Sequence, residues 1–469
     1  MFDFNELLQK ARLEIGGNDE LIDFHSASHS QNEGDGHKAI TDWSGLVADI
    51  QIKTGSLIKT DTLSFLLGAG ASRDCGGILI SSVPIEIESR LLADGIYGQN
   101  PARIRKWLTY FYFAVKEVSQ DDDVPITRDE ILERRVLVQR ASSEVLPLRA
   151  NLESVISVLY RWRSAIPESG GRLIKKYDAG PVRSFELDSC ILDVCIKRLT
   201  KTLAGCCQLP LPGKDRGLLV YKKFIRKILT RPLNLKRANI FTLNYDTLVE
   251  QAADTEGVIL IDGFVGTIQR IFHPESYEQD LYFPAETTEG RVHRHDRVIQ
   301  LYKLHGSLTW EATESSIDNP YGLTSKTGLS SDGWPIIIYP TPIKFTETLG
   351  MPYAEQFRRF SRAIIRPQST LFSIGYGFGD EHVNSIIRQA LTVPSFTFVI
   401  VDPNPKSDFV RSLRAQKDKR VWVFSGEVFG TFYGFVEHVL PDLRDEELRR
   451  QIVETQRAVI HSRTRSNKY

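Results

Sequence analysis

Leu63-Ser64-Phe65-Leu66-Leu67-Gly68-Ala69-Gly70-Ala71-Ser72 is the stretch on which the fold turns. An apolar run that stops at a Gly-x-Gly pair reads as a buried strand and the turn that follows it. If a helix opens there, backbone amides can approach a pyrophosphate, and the helix amino terminus favours the negative charge. The dinucleotide fingerprint would put a third glycine where Arg73 stands. Taken alone, the stretch therefore fits a phosphate loop or a plain tight turn.

Two more apolar runs end in the same way. Ala238-Asn239-Ile240-Phe241-Thr242 leads into Leu243-Asn244, and Thr370-Leu371-Phe372-Ser373-Ile374 leads into Gly375. Strand ends bearing polar or glycine-rich turns are where a doubly wound sheet places its ligand groups. Pro335-Ile336-Ile337-Ile338-Tyr339, Phe396 to Val401 and Val421-Trp422-Val423-Phe424 add candidate strands. The expected fold class is α/β, a Rossmann-like parallel sheet with a large helical insertion.

The expected organisation is an amino-terminal extension over 1–60, a core over 61–92 and 232–438, a helical insertion over 93–231, and a charged helix or arm over 439–469. The extension carries an amphipathic segment around Leu7, Leu8, Ala11 and Leu13, then a polar linker from His25 to His37. In the insertion, Trp107, Tyr110, Phe111 and Val115 share one helical face, as do Leu152, Val155, Ile156, Leu159 and Tyr160, and again Ile191, Val194, Leu199 and Leu203.

Composition narrows the classes. The 469 residues are 41% hydrophobic and 25% charged, ordinary for a folded chain, and 59 basic residues balance 59 acidic ones. No global charge draws it to nucleic acid or an anionic membrane. The start lacks a basic leader with an apolar core, and no apolar run reaches membrane-spanning length. Cys75, Cys190, Cys195, Cys206 and Cys207 have no metal-ligand spacing. Reduced thiols, a cytoplasmic location and no bound metal are expected.

Four motifs carry candidate chemistry. Gly68, Ala69, Gly70 and Ser72 form the first. In Thr242-Leu243-Asn244-Tyr245-Asp246, Asn244 and Asp246 are two apart, so on an extended strand end both face one side. An amide beside a carboxylate can hold a ribose hydroxyl, a water and a carboxamide; an Asx turn capping a helix from Thr247 is the alternative. In Lys303-Leu304-His305-Gly306-Ser307, His305 is a structural histidine or a general base, and Ser307 could orient its ring or bind ribose. Gly375-Tyr376-Gly377-Phe378-Gly379-Asp380 is a glycine-rich loop feeding a helix that Asp380 would cap.

In this order the four motifs resemble the NAD pocket of the sirtuins, over about residues 60–95 and 235–430. The resemblance implies NAD as substrate. Asn244 would work at the nicotinamide ribose, Asp246 would contact the nicotinamide amide, and His305 would be the base. Gly68, Ala69, Gly70, Ser72, Thr242, Ser307, Gly375, Tyr376, Gly377 and Asp380 would bind NAD, with Asp402 and Asn404 near the adenosine ribose. The glycine loop is similar to the Gly-Tyr-Ser-x-x-Asp segment of a bacterial sirtuin-like branch. No cysteine follows Cys207, so the four-cysteine zinc ribbon of deacetylating sirtuins cannot form.

A helical insertion after the first βα unit resembles the zinc-free, sirtuin-like NADases of bacterial antiphage defence. This implies a hydrolase that depletes NAD in abortive infection, a homo-oligomer, and control by a partner such as a HerA-type ATPase. A short Argonaute or a phage component is a further possible trigger. A deacylase or ADP-ribosyltransferase, or a non-catalytic module sensing NAD or ADP-ribose, are the rival readings.

Overall fold

The computed structural model describes residues 4–21, 43–78, 83–96, 104–140, 145–167, 172–176, 184–284, 292–326, 335–337 and 352–444. The polar segment 25–37, positions 338 and 339 and the tail from 445 lie outside them. The chain forms two compact units, Met1–Gly76 with Pro210–Leu304 and Glu355–Tyr469, and Gly77–Leu209 with His305–Ala354. The expected insertion limits, 93 and 231, differ from these boundaries.

The first unit holds a nine-stranded sheet. Its strands are β1 (Arg12–Ile15), β2 (Asn18–Asp19), β3 (Thr62–Leu67), β4 (Asn239–Thr242), β5 (Ile259–Ile261), β6 (Val298–Lys303), β7 (Ser369–Ile374), β8 (Phe396–Val401) and β9 (Val421–Ser425). The order is β2-β1-β9-β8-β7-β3-β4-β6-β5. From β9 to β5 every pairing is parallel. The α/β, Rossmann-like class is thus observed. β3 and β7 are buried along their whole lengths, which explains why both read as continuous runs.

Parallel strands need crossovers, and helices supply them on both faces. On one face Phe65 packs against Phe224 of α2 (Asp215–Ile228) and stacks on Phe372, with centroids 5.0 and 5.3 Å away. On the other, Phe241 meets Phe360 of α4 (Tyr353–Ile364) at 4.9 Å and Tyr302 at 4.6 Å. Further helices of this unit include α1 (Trp43–Ile58), α3 (Leu248–Glu256), α5 (Glu381–Leu391) and α6 (Asp408–Gln416).

The amino-terminal segment joins this sheet. Leu13 pairs with Phe424 in an antiparallel β1–β9 ladder, and β2 turns back on β1. The predicted amphipathic segment is a short helix, Phe4–Gln9, followed by β1.

The second unit is helical over Ile85–Gly95, Lys106–Ser119, Arg128–Gln139, Leu152–Ser164 and Ser189–Cys206. Trp107, Tyr110, Phe111 and Val115 are buried, as expected. Val194 is not: it is 41% exposed, and Leu192, Cys195, Ile196, Leu199 and Leu203 form the buried face instead. Asp188 caps this helix by accepting from Ile191 N. Fully buried Glu88 accepts from Tyr112 Oη and from Arg134 Nε and Nη2. Strand Gly306–Ala312 pairs antiparallel with Leu323–Ser325 and Pro335–Ile337.

Candidate functional site

Register places the motif residues. Leu67, Thr242, Lys303, Ile374, Val401 and Phe424 lie in one row across the sheet. Gly68, Leu243, Leu304, Gly375 and Asp402 all follow directly at its carboxyl edge. From β3 the neighbouring strands diverge, toward β4, β6 and β5 on one side and β7, β8 and β9 on the other. Such a reversal opens the crevice where doubly wound sheets bind ligands.

At that reversal the glycines bring two backbones together. A Cβ on Gly68 would lie 2.6 Å from the Gly375 carbonyl oxygen, and one on Gly70 would lie 2.7 Å from Gly375 Cα. Gly375, at φ +63°, would meet Ala71 N at 2.5 Å. Gly68 N–H donates to Ile374 O and Gly70 N–H to Gly375 O, both at 2.9 Å. Those amides are already used, so the glycines serve close approach of chain to chain. Gly377 and Gly379, by contrast, face open space.

Ser72 is the hub. Its Oγ donates to Asp246 Oδ2 at 2.6 Å and accepts from Asn244 Nδ2 at 2.9 Å. A hydroxyl has one proton, so the Tyr221 hydroxyl 3.3 Å away donates to Ser72 as well. Asn244 Nδ2 also donates to Gly68 O at 2.9 Å, which occupies both amide hydrogens. Among the described residues no hydrogen bond reaches Asn244 Oδ1, and the residue is half-buried. The group it offers is an acceptor.

Asp246 is buried, and both oxygens are engaged: Oδ1 accepts from Leu248 N at 3.1 Å at the start of α3. The helix begins at Leu248, one residue after the expected Thr247. Lys303 Nζ donates to the Asp246 carbonyl oxygen and, at 2.8 Å, to Glu250 Oε1. Burial raises both the Asp246 and the Glu250 carboxyls, and Lys303 counters it in each. Burial, with Asp246 close by, lifts the Tyr221 phenol well above its usual value and the Cys75 thiol to about 12. Both stay protonated, and Cys75 is inert as a nucleophile.

Thr242 Oγ1 accepts from Asn244 N at 3.0 Å and so shapes the turn. Tyr376 folds inward: its hydroxyl bonds the Asp380 carbonyl oxygen at 3.0 Å and Asn384 Oδ1 at 3.1 Å. Asp380 caps α5 by accepting from His382 N and Val383 N. Asp402 Oδ1 accepts from Asn404 N at 2.8 Å, and burial raises its carboxyl. In the second unit His305 is buried, and Ser307, fully buried, shares a 3.1 Å hydroxyl contact with Thr309.

Sequence reasoning missed Tyr221, Lys303 and Glu250. Lys303 stood inside a quoted motif, but nothing in its spacing revealed a partner. Tyr221 lies 149 positions from Ser72 and carries no local signal.

Residues 238–422 match the SIR2-like domain family. A solved structure described as a Sir2 homolog–NAD complex is 11% identical, with 89% of this chain and 99% of that chain covered and a TM-score of 0.32. A point mutant of a Sir2 homologue in complex with ADP ribose is 10% identical, with 79% of this chain and 96% of that chain covered and a TM-score of 0.26. Comparison with curated proteins gives no match. Among the described residues no cluster of three His, Cys, Asp or Glu could hold a metal, and no helix is long and apolar enough to cross a membrane.

Proposed function

We propose that this chain is a sirtuin-like NAD glycohydrolase, releasing nicotinamide and ADP-ribose. The observation that carries the reading is the Asn244–Ser72–Asp246 cluster at the carboxyl edge of β3 and β4, beside the strand-order reversal. The SIR2-like match spans Asn244, Asp246, His305, Gly375 and Asp402 and supports it.

In this reading the C1′–N bond breaks with its electron pair leaving on nicotinamide. The ribose that remains is oxocarbenium-like, water adds at C1′, and the water's proton is lost to a base. Asn244 Oδ1 is the free acceptor that orients the water or a ribose hydroxyl, which needs an amide held still. Ser72 holds it, and Asp246 acts as a positioning residue through Ser72. His305 takes the base role on the strength of the motif. Gly377 and Gly379 leave room for the ligand.

The wider role proposed is NAD depletion in antiphage defence by a homo-oligomer under the control of a HerA-type or other defence partner. Incubating the pure protein with NAD, with and without an acetylated peptide, tests the reaction. Free nicotinamide and ADP-ribose without peptide are expected. Release that requires the peptide would point to a deacylase, and NAD binding without turnover to a sensor. Sedimentation and assays across a dilution series test self-association.

A further inference from the structure

We infer that a cleft at the opposite, amino-terminal edge of the sheet binds a small ligand carrying two or more phosphate groups. The cleft has a volume of about 370 Å³, within the range of small-molecule sites. Thr62 and Asn239 line it at the starts of β3 and β4, Gln300 and Tyr302 line it along β6, and Arg362 and Arg366 line it from α4 and the turn after it.

Two independent features point to an anion. The first is surplus positive charge. Six cationic side chains line the cleft against two acidic ones, Glu278 and Asp280. Arg237 and Arg294 close on Asp280 at 2.7 and 2.6 Å, and Arg359 is held by Glu278 and Glu355 at 2.9 and 2.6 Å. Arg362 only reaches Glu278 at 4.0 Å, while among the described residues Lys236 and Arg366 have no ion pair. These cations repel one another: burial, Arg366 and Arg362 together lower the Lys236 ammonium, against a weaker pull from Asp61.

The second feature is an orphaned hydroxyl. Thr62 Oγ1 is buried on a residue only 3% exposed, yet has no hydrogen-bond partner. A buried polar atom without a partner costs free energy unless a ligand or water meets it. A phosphate oxygen would accept from it while the guanidinium forks take the remaining charge. Three poorly matched cations suit a di- or triphosphate better than a single carboxylate. The cleft is separate from the motif loops, because Thr62 and Gly68 are at opposite ends of β3, about 20 Å apart at ~3.3 Å per residue.

Titration calorimetry of the full chain with tripolyphosphate and with ATP, at low and at physiological salt, tests the inference. Saturable binding is expected, and the doubly reversed Arg362→Glu/Arg366→Glu chain should bind about tenfold or more weakly. Thr62→Val, which keeps the shape and removes the hydroxyl, should also weaken binding. Asn244→Ala, at the far edge, should not. A charge-reversed chain that fails to fold would be replaced by Arg366→Gln alone, judged by the same loss. No binding of either probe at millimolar concentration, binding unchanged by the Arg substitutions, or binding of a single-stranded oligonucleotide but not of tripolyphosphate would each overturn it.

Discussion

At the scale of single residues, Asn244 and Asp246 are joined through Ser72, and each predicts a different measurement. Asn244→Ala removes the one free acceptor in the cluster, so nicotinamide release should fall by about a hundredfold or more, the size expected when a group acting on the proton-transfer step is lost. The chain should still fold, with the melting temperature lowered by the loss of the two hydrogen bonds that Asn244 Nδ2 gives to Gly68 O and Ser72 Oγ. Wild-type turnover in that variant would remove Asn244 from the reaction. Asp246 predicts a pH dependence. Burial holds its folded pKa above the unfolded value of 3.8, so the folded state binds the proton more tightly. The stability this adds is complete below the unfolded pKa and is lost as pH rises through the folded one. Asp246→Asn cannot ionise, so wild type should lose stability relative to it as pH rises above the unfolded value of 3.8 and through the raised folded one. Parallel denaturant curves at several pH values check the sign. Strand periodicity did not reach Asn244 and Asp246, because β4 ends at Thr242 and both lie in the turn beyond it. That Ser72 joins them was not legible either, since it lies 174 positions from Asp246.

At the scale of elements, the glycines divide by what surrounds them. Gly68, Gly70 and Gly375 hold two strand-end loops in backbone contact, and a Cβ at any of them would strike main-chain atoms that cannot rotate away. Alanine at each should destabilise by about 1–3 kcal/mol or more, as overpacking does. Gly377→Ala meets nothing within 4 Å and should change stability by no more than about 0.5 kcal/mol. Urea midpoints of the four variants measure the contrast, and equal losses at Gly375 and Gly377 would contradict the packing role. The sequence marked all of these as loop glycines after buried strands. It could not separate them, because the separation depends on what lies opposite, and β7 is more than 300 residues from β3 along the chain.

At the scale of the whole molecule, the amino-terminal segment is part of the sheet. β1 covers the open edge of β9, and an uncovered edge offers unpaired amides and carbonyls to another chain. Deleting the first 20 residues should therefore lower the melting temperature and promote association, which light scattering during a thermal ramp would detect. An unchanged melting temperature and a monodisperse truncated chain would show that the ladder contributes little.

The chain by itself determined the α/β class, the strands running into Gly68, Leu243, Gly375 and Asp402, and the cap at Asp380. All of these rest on local causes: burial on both faces produces unbroken apolar runs, and a cap needs its acceptor within a few residues of the amides it serves. Tertiary structure alone decided the order of strands around β3, the antiparallel edge made by β1, the Ser72 hub with Tyr221, the Lys303–Glu250 pair and the basic cleft beneath α4. Each of these joins residues far apart in sequence through contacts a few ångströms long, and no local periodicity records which distant segment will lie alongside.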